Sequence, residues 1–429
     1  MKKYIILLGL LLLSFAAQAQ QGAWSGKLTV QGTSLTLVFH FEEDGCTMDS
    51  PDQGARGIPA ELTRNALGGI KVSVPAADMN YEAYLMGGKL IGTFTQHGVS
   101  FPLTLSPGEP QRLRPQTPQP PFPYNTEEVS FRNGDAVLKG TLTLPPSFDR
   151  NTPVLVMVTG SGLQNRDEEL FDHKPFAVIA DALARRGVAT LRYDDRGFGE
   201  STGDVILVTT EDLKNDALAG VKLLRERFDH VGVLGHSVGG TIALMLAADR
   251  QVDFVVSLAG IVVSGKETLL WQNRVLLPLA GISEAETERY CLALGEAFDC
   301  LTAGLKPADP AGLDLSEPLK QNLRASIAQS STPYMKYFLQ LDVSQRLGEI
   351  ACPVLALNGT KDVQVGCVRN LDALGEGLPA SVKKTILPLE GLNHLFQHCN
   401  TGLTDEYKDI EETISPEALS VIGNWILNL

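Results

Sequence analysis

The chain has 429 residues, 44% hydrophobic and 20% charged. That ordinary globular balance excludes disorder and fibrous repeats and leaves room for two or three domains. Asp and Glu outnumber Lys and Arg, 50 to 36, for a net charge of −14. An acidic chain without a long basic run is not built to bind nucleic acid or an anionic membrane surface.

Met1-Lys2-Lys3, an apolar run from Tyr4 to about Ala16 and then Ala17-Gln18-Ala19 read as a secretory signal peptide over 1–19, cleaved after Ala19. The apolar run is shorter than the ~20 residues a membrane span needs. The nearest following cysteine is Cys46, too distant for lipid anchoring. A periplasmic or secreted protein with no membrane span after cleavage is expected. The six cysteines are widely spaced with no C-x-x-C pair, which disfavours a zinc or thioredoxin-type site.

Residues 20–106 alternate apolar and polar side chains in short runs (Lys27–Val30, Ser34–Phe41, Ile70–Val74, Lys89–Phe94, Phe101–Leu105), with Gly, Asn, Asp and Pro between them. This pattern predicts a small all-β sandwich or barrel. His40 and His97 stand alone there, as structural histidines do. A proline-rich linker over 107–125 follows, expected to be a semi-rigid spacer.

From residue 126 to 429 the pattern becomes strands alternating with helices. After two lead-in strands, Glu127–Arg132 and Ala136–Leu144, come compact apolar runs at Pro153–Val158, Val188–Tyr193, Val231–Gly235, Phe254–Leu258, Pro353–Leu357 and Val382–Leu387. Parallel strands covered on both faces read this way, so a doubly wound α/β domain is predicted. The interval of about 260–349 is helix-like, carries Trp271, Tyr290, Phe298, Tyr334, Tyr337 and Phe338, and reads as a cap over the carboxyl edge of the sheet. Some of these aromatics should form the cap's own core and others line a pocket.

Gly235-His236-Ser237-Val238-Gly239-Gly240 follows one strand and opens a helix. G-x-S-x-G in that context is a nucleophile elbow, which lifts Ser237 Oγ above the sheet edge at a helix N-terminus. A serine nucleophile needs a base and an orienting acid. Asp362 lies in the loop after the strand Pro353–Leu357, and His394 in the loop after Val382–Leu387, giving the order Ser, Asp, His. Competing bases are poorer: His398 lies too far past its strand, His236 leaves the elbow in another direction, and His173 and His230 read as capping or solvated residues. Glu390 is the runner-up acid. The oxyanion hole needs two backbone donors. Val238 supplies one, and the loop Thr159-Gly160-Ser161-Gly162 supplies the other from Ser161 or Gly162. That loop lacks the G-K-[ST] of a phosphate-binding loop. The tract Gln164 to Glu169 after it either folds over the site or stays solvated.

Together with the turn Asp194-Asp195-Arg196-Gly197-Phe198-Gly199-Glu200-Ser201, the T-G-S-G, G-H-S-V-G-G, G-x-x-D and G-x-N-H motifs resemble the α/β-hydrolase superfamily over about residues 127–429. The serine aminopeptidase-like and carboxylesterase-like branches are the most similar. Thr159-Gly160 departs from the His-Gly of many relatives, which leaves the second oxyanion donor open. The resemblance implies an α/β-hydrolase fold, a mostly parallel doubly wound sheet with a helical cap. Cys367 and Cys399 each lie five residues beyond a triad member, so a disulfide between them would brace the two loops. Coincidence is the alternative.

The expected function is an exported serine hydrolase cleaving small-molecule carboxylic esters through an acyl-enzyme, with no metal or organic cofactor. A peptidase using the same triad on short peptides is the alternative, with Glu284, Glu288 or Glu296 of the cap to hold a substrate α-amine. A non-catalytic binding protein is disfavoured because all three triad residues are present.

Overall fold

The structure, a computed structural model, describes residues 21–30, 33–42, 45–53, 55–65, 69–109 and 114–429. The leader expected over 1–19 lies outside them. The chain divides into two compact units, the second starting at Arg114.

The first unit is a closed eight-stranded antiparallel barrel: β1 (Gly22–Val30), β2 (Thr33–Phe41), β3 (Cys46–Ser50), β4 (Ala55–Arg64), β5 (Gly69–Val74), β6 (Met79–Met86), β7 (Lys89–Gln96) and β8 (Val99–Pro107). Each strand pairs with the next, and β1 meets β8 at Ser25 and Ser106. Inward positions carry Phe39, Val72, Tyr81, Leu90 and Leu105, all fully buried. The Phe39 and Tyr81 rings stack 5.6 Å apart. Tyr81 keeps its buried hydroxyl satisfied by donating to the carbonyls of Leu90 and Leu103. Sandwich and barrel share one sequence pattern; strand closure makes this a barrel.

In the second unit β9 (Asn125–Asn133) and β10 (Ala136–Leu144) form an antiparallel edge of an eight-stranded sheet. It continues with β11 (Val154–Val158), β12 (Ala189–Tyr193), β13 (Val231–His236), β14 (Val255–Leu258), β15 (Val354–Gly359) and β16 (Lys384–Leu389). The spatial order is β16-β15-β14-β13-β11-β12-β10-β9, parallel from β12 to β16. Every residue of β11, β13, β14 and β15 is buried. On β11, Val154, Val156 and Val158 enter one core while Leu155 and Met157 enter the other, the alternation a strand between two helical layers requires. Helices α1 (Pro175–Ala184), α2 (Thr210–Arg225) and α3 (Val238–Ala248) sit between strands near their expected positions.

The cap is four helices, α4 (Gly265–Leu279), α5 (Glu284–Thr302), α6 (Glu317–Gln329) and α7 (Pro333–Gln340), before the chain returns to β15. Its aromatics divide. Tyr290 and Phe298 form the cap's own core, whereas Tyr334 and Phe338 pack down on the core of the sheet. Then α8 (Cys367–Gly377) and α9 (Pro416–Ile426) complete the second unit.

From Arg114 onward the proline-rich stretch, read from sequence as a semi-rigid spacer, is hydrogen-bonded along the second unit. Arg114 donates to the carbonyls of Phe171, Lys408 and Ile410. Gln116 bonds the Ile414 carbonyl and accepts from Thr413, and Tyr124 donates to Asp181. Proline-rich chain is already extended, so little further entropy is lost in laying it along a surface that offers carbonyls. No helix among the described residues is long and apolar enough to cross a membrane.

Candidate active site

Ser237 stands between β13 and α3 at φ +55° and ψ −120°, a conformation an L-residue rarely adopts. The flanking glycines make that turn sterically feasible. A Cβ on Gly235 would lie 1.9 Å from the Gly239 carbonyl oxygen, and one on Gly239 would lie 2.0 Å from that of Val158. The Ser237 amide donates to the Leu258 carbonyl at 2.8 Å, which ties the elbow to the neighbouring strand. Its Oγ makes no hydrogen bond to a protein group among the described residues.

Asp362 and His394 are brought together as the sequence order predicts. Asp362 Oδ2 accepts from His394 Nδ1 at 2.7 Å, while Oδ1 accepts the amides of Gln364 and Val365 at 2.8 Å each. Both residues are buried. With its Nδ1 proton given to the carboxylate, His394 keeps the lone pair on Nε2. Its ring lies 4.6 Å from the ring of His236, the residue before Ser237. The nucleophile, base and acid candidates therefore come from three loops at one edge of the sheet.

The Thr159–Gly162 loop runs directly over the serine, since a Cβ on Gly160 would come 3.3 Å from Ser237 Cβ. The Gly160 amide is already committed, donating to Glu168 Oε1 at 2.7 Å. The next amides, of Ser161 and Gly162, lie in an exposed stretch of the same loop. Val238 opens α3, where first-turn N–H groups have no acceptor within the helix. Two buried carboxylates hold the loop in place. Asp195 Oδ2 accepts from Thr159 Oγ1 and from the Gln164 amide, at 2.8 Å each, and so ties both ends of it. Burial pushes the Asp195 carboxyl up to about 7 despite those two donors.

The rest of the Asp194–Ser201 turn is scaffolding. Asp194 accepts from the Arg166 guanidinium at 2.8 Å, which overcomes burial and holds its carboxyl below the usual carboxylate range. Arg196 makes a bidentate pair with buried Asp216, and Ser201 bridges the Asp194 carbonyl and the Lys139 amide.

The rejected bases have other work. His398 is exposed on Glu412. His173 is fully buried between Thr413 and the Tyr407 carbonyl. His230 and Glu390 are exposed. Glu284, Glu288 and Glu296 are exposed on the cap, and Glu288 pairs with Arg274 at 2.7 Å. Of the two alternatives for Cys367 and Cys399, the bridge is not formed; all six cysteines are free. Cys367 Sγ faces the Asn358 carbonyl and Cys399 Sγ faces that of Gly391, so each thiol turns into its own loop. Glu168 was not resolved by sequence from its charged tract. Its one local signal is its place just past the glycine loop.

A mixed, mostly parallel doubly wound sheet with a helical cap and a serine at a strand–helix elbow defines an α/β-hydrolase. Residues 133–386 match the X-Pro dipeptidyl-peptidase (S15) family, and the chain belongs to that family. It is also 37% identical over 283 residues to the esterase EstD of Thermotoga maritima, covering 64% of this chain and 62% of that relative. The chain thus spans less than two thirds of that relative's length. Among solved structures, a Pyrococcus furiosus esterase aligns at TM-score 0.43 and 15% identity, over 71% of this chain and 91% of its own. A Mycobacterium smegmatis proline iminopeptidase aligns at TM-score 0.43 and 16% identity, over 70% and 98%.

Proposed function

We propose that this chain is a serine hydrolase that cleaves carboxylic esters through an acyl-enzyme. The observation that carries the reading is the buried Asp362–His394 pair, 2.7 Å apart, at the sheet edge where Ser237 is held in a strained elbow. In this mechanism His394 Nε2 takes the Ser237 Oγ proton as Oγ attacks the ester carbonyl. The developing oxyanion is met by the Val238 amide and by that of Ser161 or Gly162. His394 then gives its proton to the departing alcohol, and water repeats the sequence on the acyl-enzyme. Asp362 keeps the imidazole in the tautomer this requires and balances the imidazolium when it forms.

Identity to the Thermotoga esterase supports esters as substrates. The family's description supports a second reading, a peptidase with the same triad. Against that reading, the cap carboxylates considered for an α-amine are exposed, one of them held by an arginine. The test is a panel of short-chain nitrophenyl esters against aminoacyl and X-Pro nitroanilides, on wild type and Ser237→Ala. Ester turnover lost in the variant is expected. Preferred anilide cleavage transfers the case to the peptidase, and turnover surviving the substitution removes the mechanism. The proposal includes export: a mature N-terminus at Gln20 is expected from N-terminal sequencing, and retention of Met1 counts against it.

A further inference from the structure

His236 immediately precedes Ser237, is buried, and has no role in the mechanism proposed above. Its Nε2 lies 2.9 Å from the backbone carbonyl of His394, and its Nδ1 lies 3.0 Å from Glu168 Oε1. A carbonyl only accepts, so Nε2 carries a proton, and the Nδ1–Oε1 contact needs a second proton between its two atoms. A doubly protonated imidazole against a carboxylate satisfies both contacts. The same Oε1 also accepts the Gly160 amide at 2.7 Å. Glu168 is buried with φ +53°, so its backbone is strained to reach this position. Apolar side chains, among them Phe176, Ile179, Leu258 and Phe396, wall the pair around a void of about 10 Å³.

The geometry points to Glu168 and His236 as a positioning pair for catalysis, a second acid–imidazole couple that locks the oxyanion loop and the base loop to the nucleophile strand. This rests on the reading of Ser237, Asp362 and His394 as the triad. Through Glu168 the pair fixes the peptide plane ahead of Ser161 and Gly162, and through His236 it fixes the backbone that carries the base. The His236 cation lies beside the His394 ring, where alone it would oppose protonation of the base; Glu168 cancels that opposition. The titratable groups facing His236 are Glu168 from the oxyanion side, and His394 and Asp362 from the base and acid loops. Asp195 lies beyond Glu168. Burial alone would lower the His236 pKa; Glu168 outweighs it and raises it.

The protonation state is read in the folded wild type by ¹⁵N NMR of histidine-labelled protein, with the His236 signals assigned by their loss in His236→Gln. Two protonated ring nitrogens at pH 7 are expected, and one bare nitrogen overturns the pair. Glu168→Gln, His236→Gln and the double variant are then assayed per active site titrated with a fluorophosphonate, which removes any misfolded fraction. Each single variant should lose on the order of 100-fold in kcat with KM nearly unchanged, as misplacement of a catalytic frame does. The double should be no worse than the poorer single, and Glu168→Gln should displace the acidic limb of the kcat/KM profile. Single variants within twofold of wild type per titrated site, with an unmoved profile, would show a purely structural role and defeat the proposal. Ser237→Ala judges the triad separately, so failure of the pair and failure of the triad are told apart.

Discussion

Ser237 holds a backbone conformation that costs on the order of 1–3 kcal/mol, and its surroundings leave it no alternative. Glycines on both sides admit carbonyls to within 2 Å of where a Cβ would stand, and the amide is tied to Leu258. Ser237→Ala should therefore keep the fold and lose kcat by a factor on the order of a million, measured with a nitrophenyl ester. Asp362→Asn separates orientation from shape. The two amides on Oδ1 can stay on the Asn oxygen, which turns the NH2 toward His394 Nδ1 and forces the proton onto Nε2. A kcat loss of about 10⁴-fold at pH 7, with unchanged thermal stability, is the expected outcome. An enzyme that keeps a tenth of its turnover would show that Asp362 is not the orienting acid.

The Thr159–Gly162 loop, proposed to supply an oxyanion donor, is an element of glycines and small residues with little side-chain packing of its own, so its shape comes from the carboxylates beneath it. Asp195 is held near 7 by burial, far above its unfolded value. Between about pH 4 and pH 7 the folded state therefore binds more protons than the unfolded state, and the Asp195 contribution to stability falls as pH rises through that window. Both of its bonds are on one oxygen, which an asparagine can reproduce without a charge. Asp195→Asn should flatten this part of the stability–pH curve and gain stability at pH 8, read by urea unfolding across pH 4–8. The elbow is less forgiving. Gly235→Ala places a Cβ 1.9 Å from backbone, and no side-chain movement relieves that. Loss of soluble, labelled enzyme is expected, measured by fluorophosphonate labelling of the soluble fraction.

At the scale of the whole molecule the two units are stabilised by separate cores. Phe39 is fully buried in the barrel between Phe41 and Tyr81. Its replacement by alanine should cost the barrel about 3–5 kcal/mol, seen by calorimetry as a lowered transition. Because every candidate site residue lies between Thr159 and His394, kcat per titrated site should be unchanged in Phe39→Ala, and a matching loss of turnover would contradict this.

The β11, β13, β14 and β15 runs were legible because strands buried on both faces have few ways to be written. The placement of Ser237, Asp362 and His394 at one sheet edge was legible because each follows a strand, where chain order alone puts a loop at the carboxyl edge. Spacing left a bridge between Cys367 and Cys399 open, and the structure shows both thiols free: equal distance from Asp362 and His394 says nothing about where each thiol turns. The sequence by itself determined the parallel sheet, the elbow and the chain order of the candidate Ser237, Asp362 and His394, since these are set by local periodicity and by glycines that no other residue can replace. Only the tertiary structure decided that the β pattern closes into a barrel, that the proline-rich stretch is strapped down from Arg114, and that Glu168 reaches His236 and Gly160. Barrel closure, the strap and the Glu168–His236 contact rest on residues far apart in the chain, and no local pattern records them.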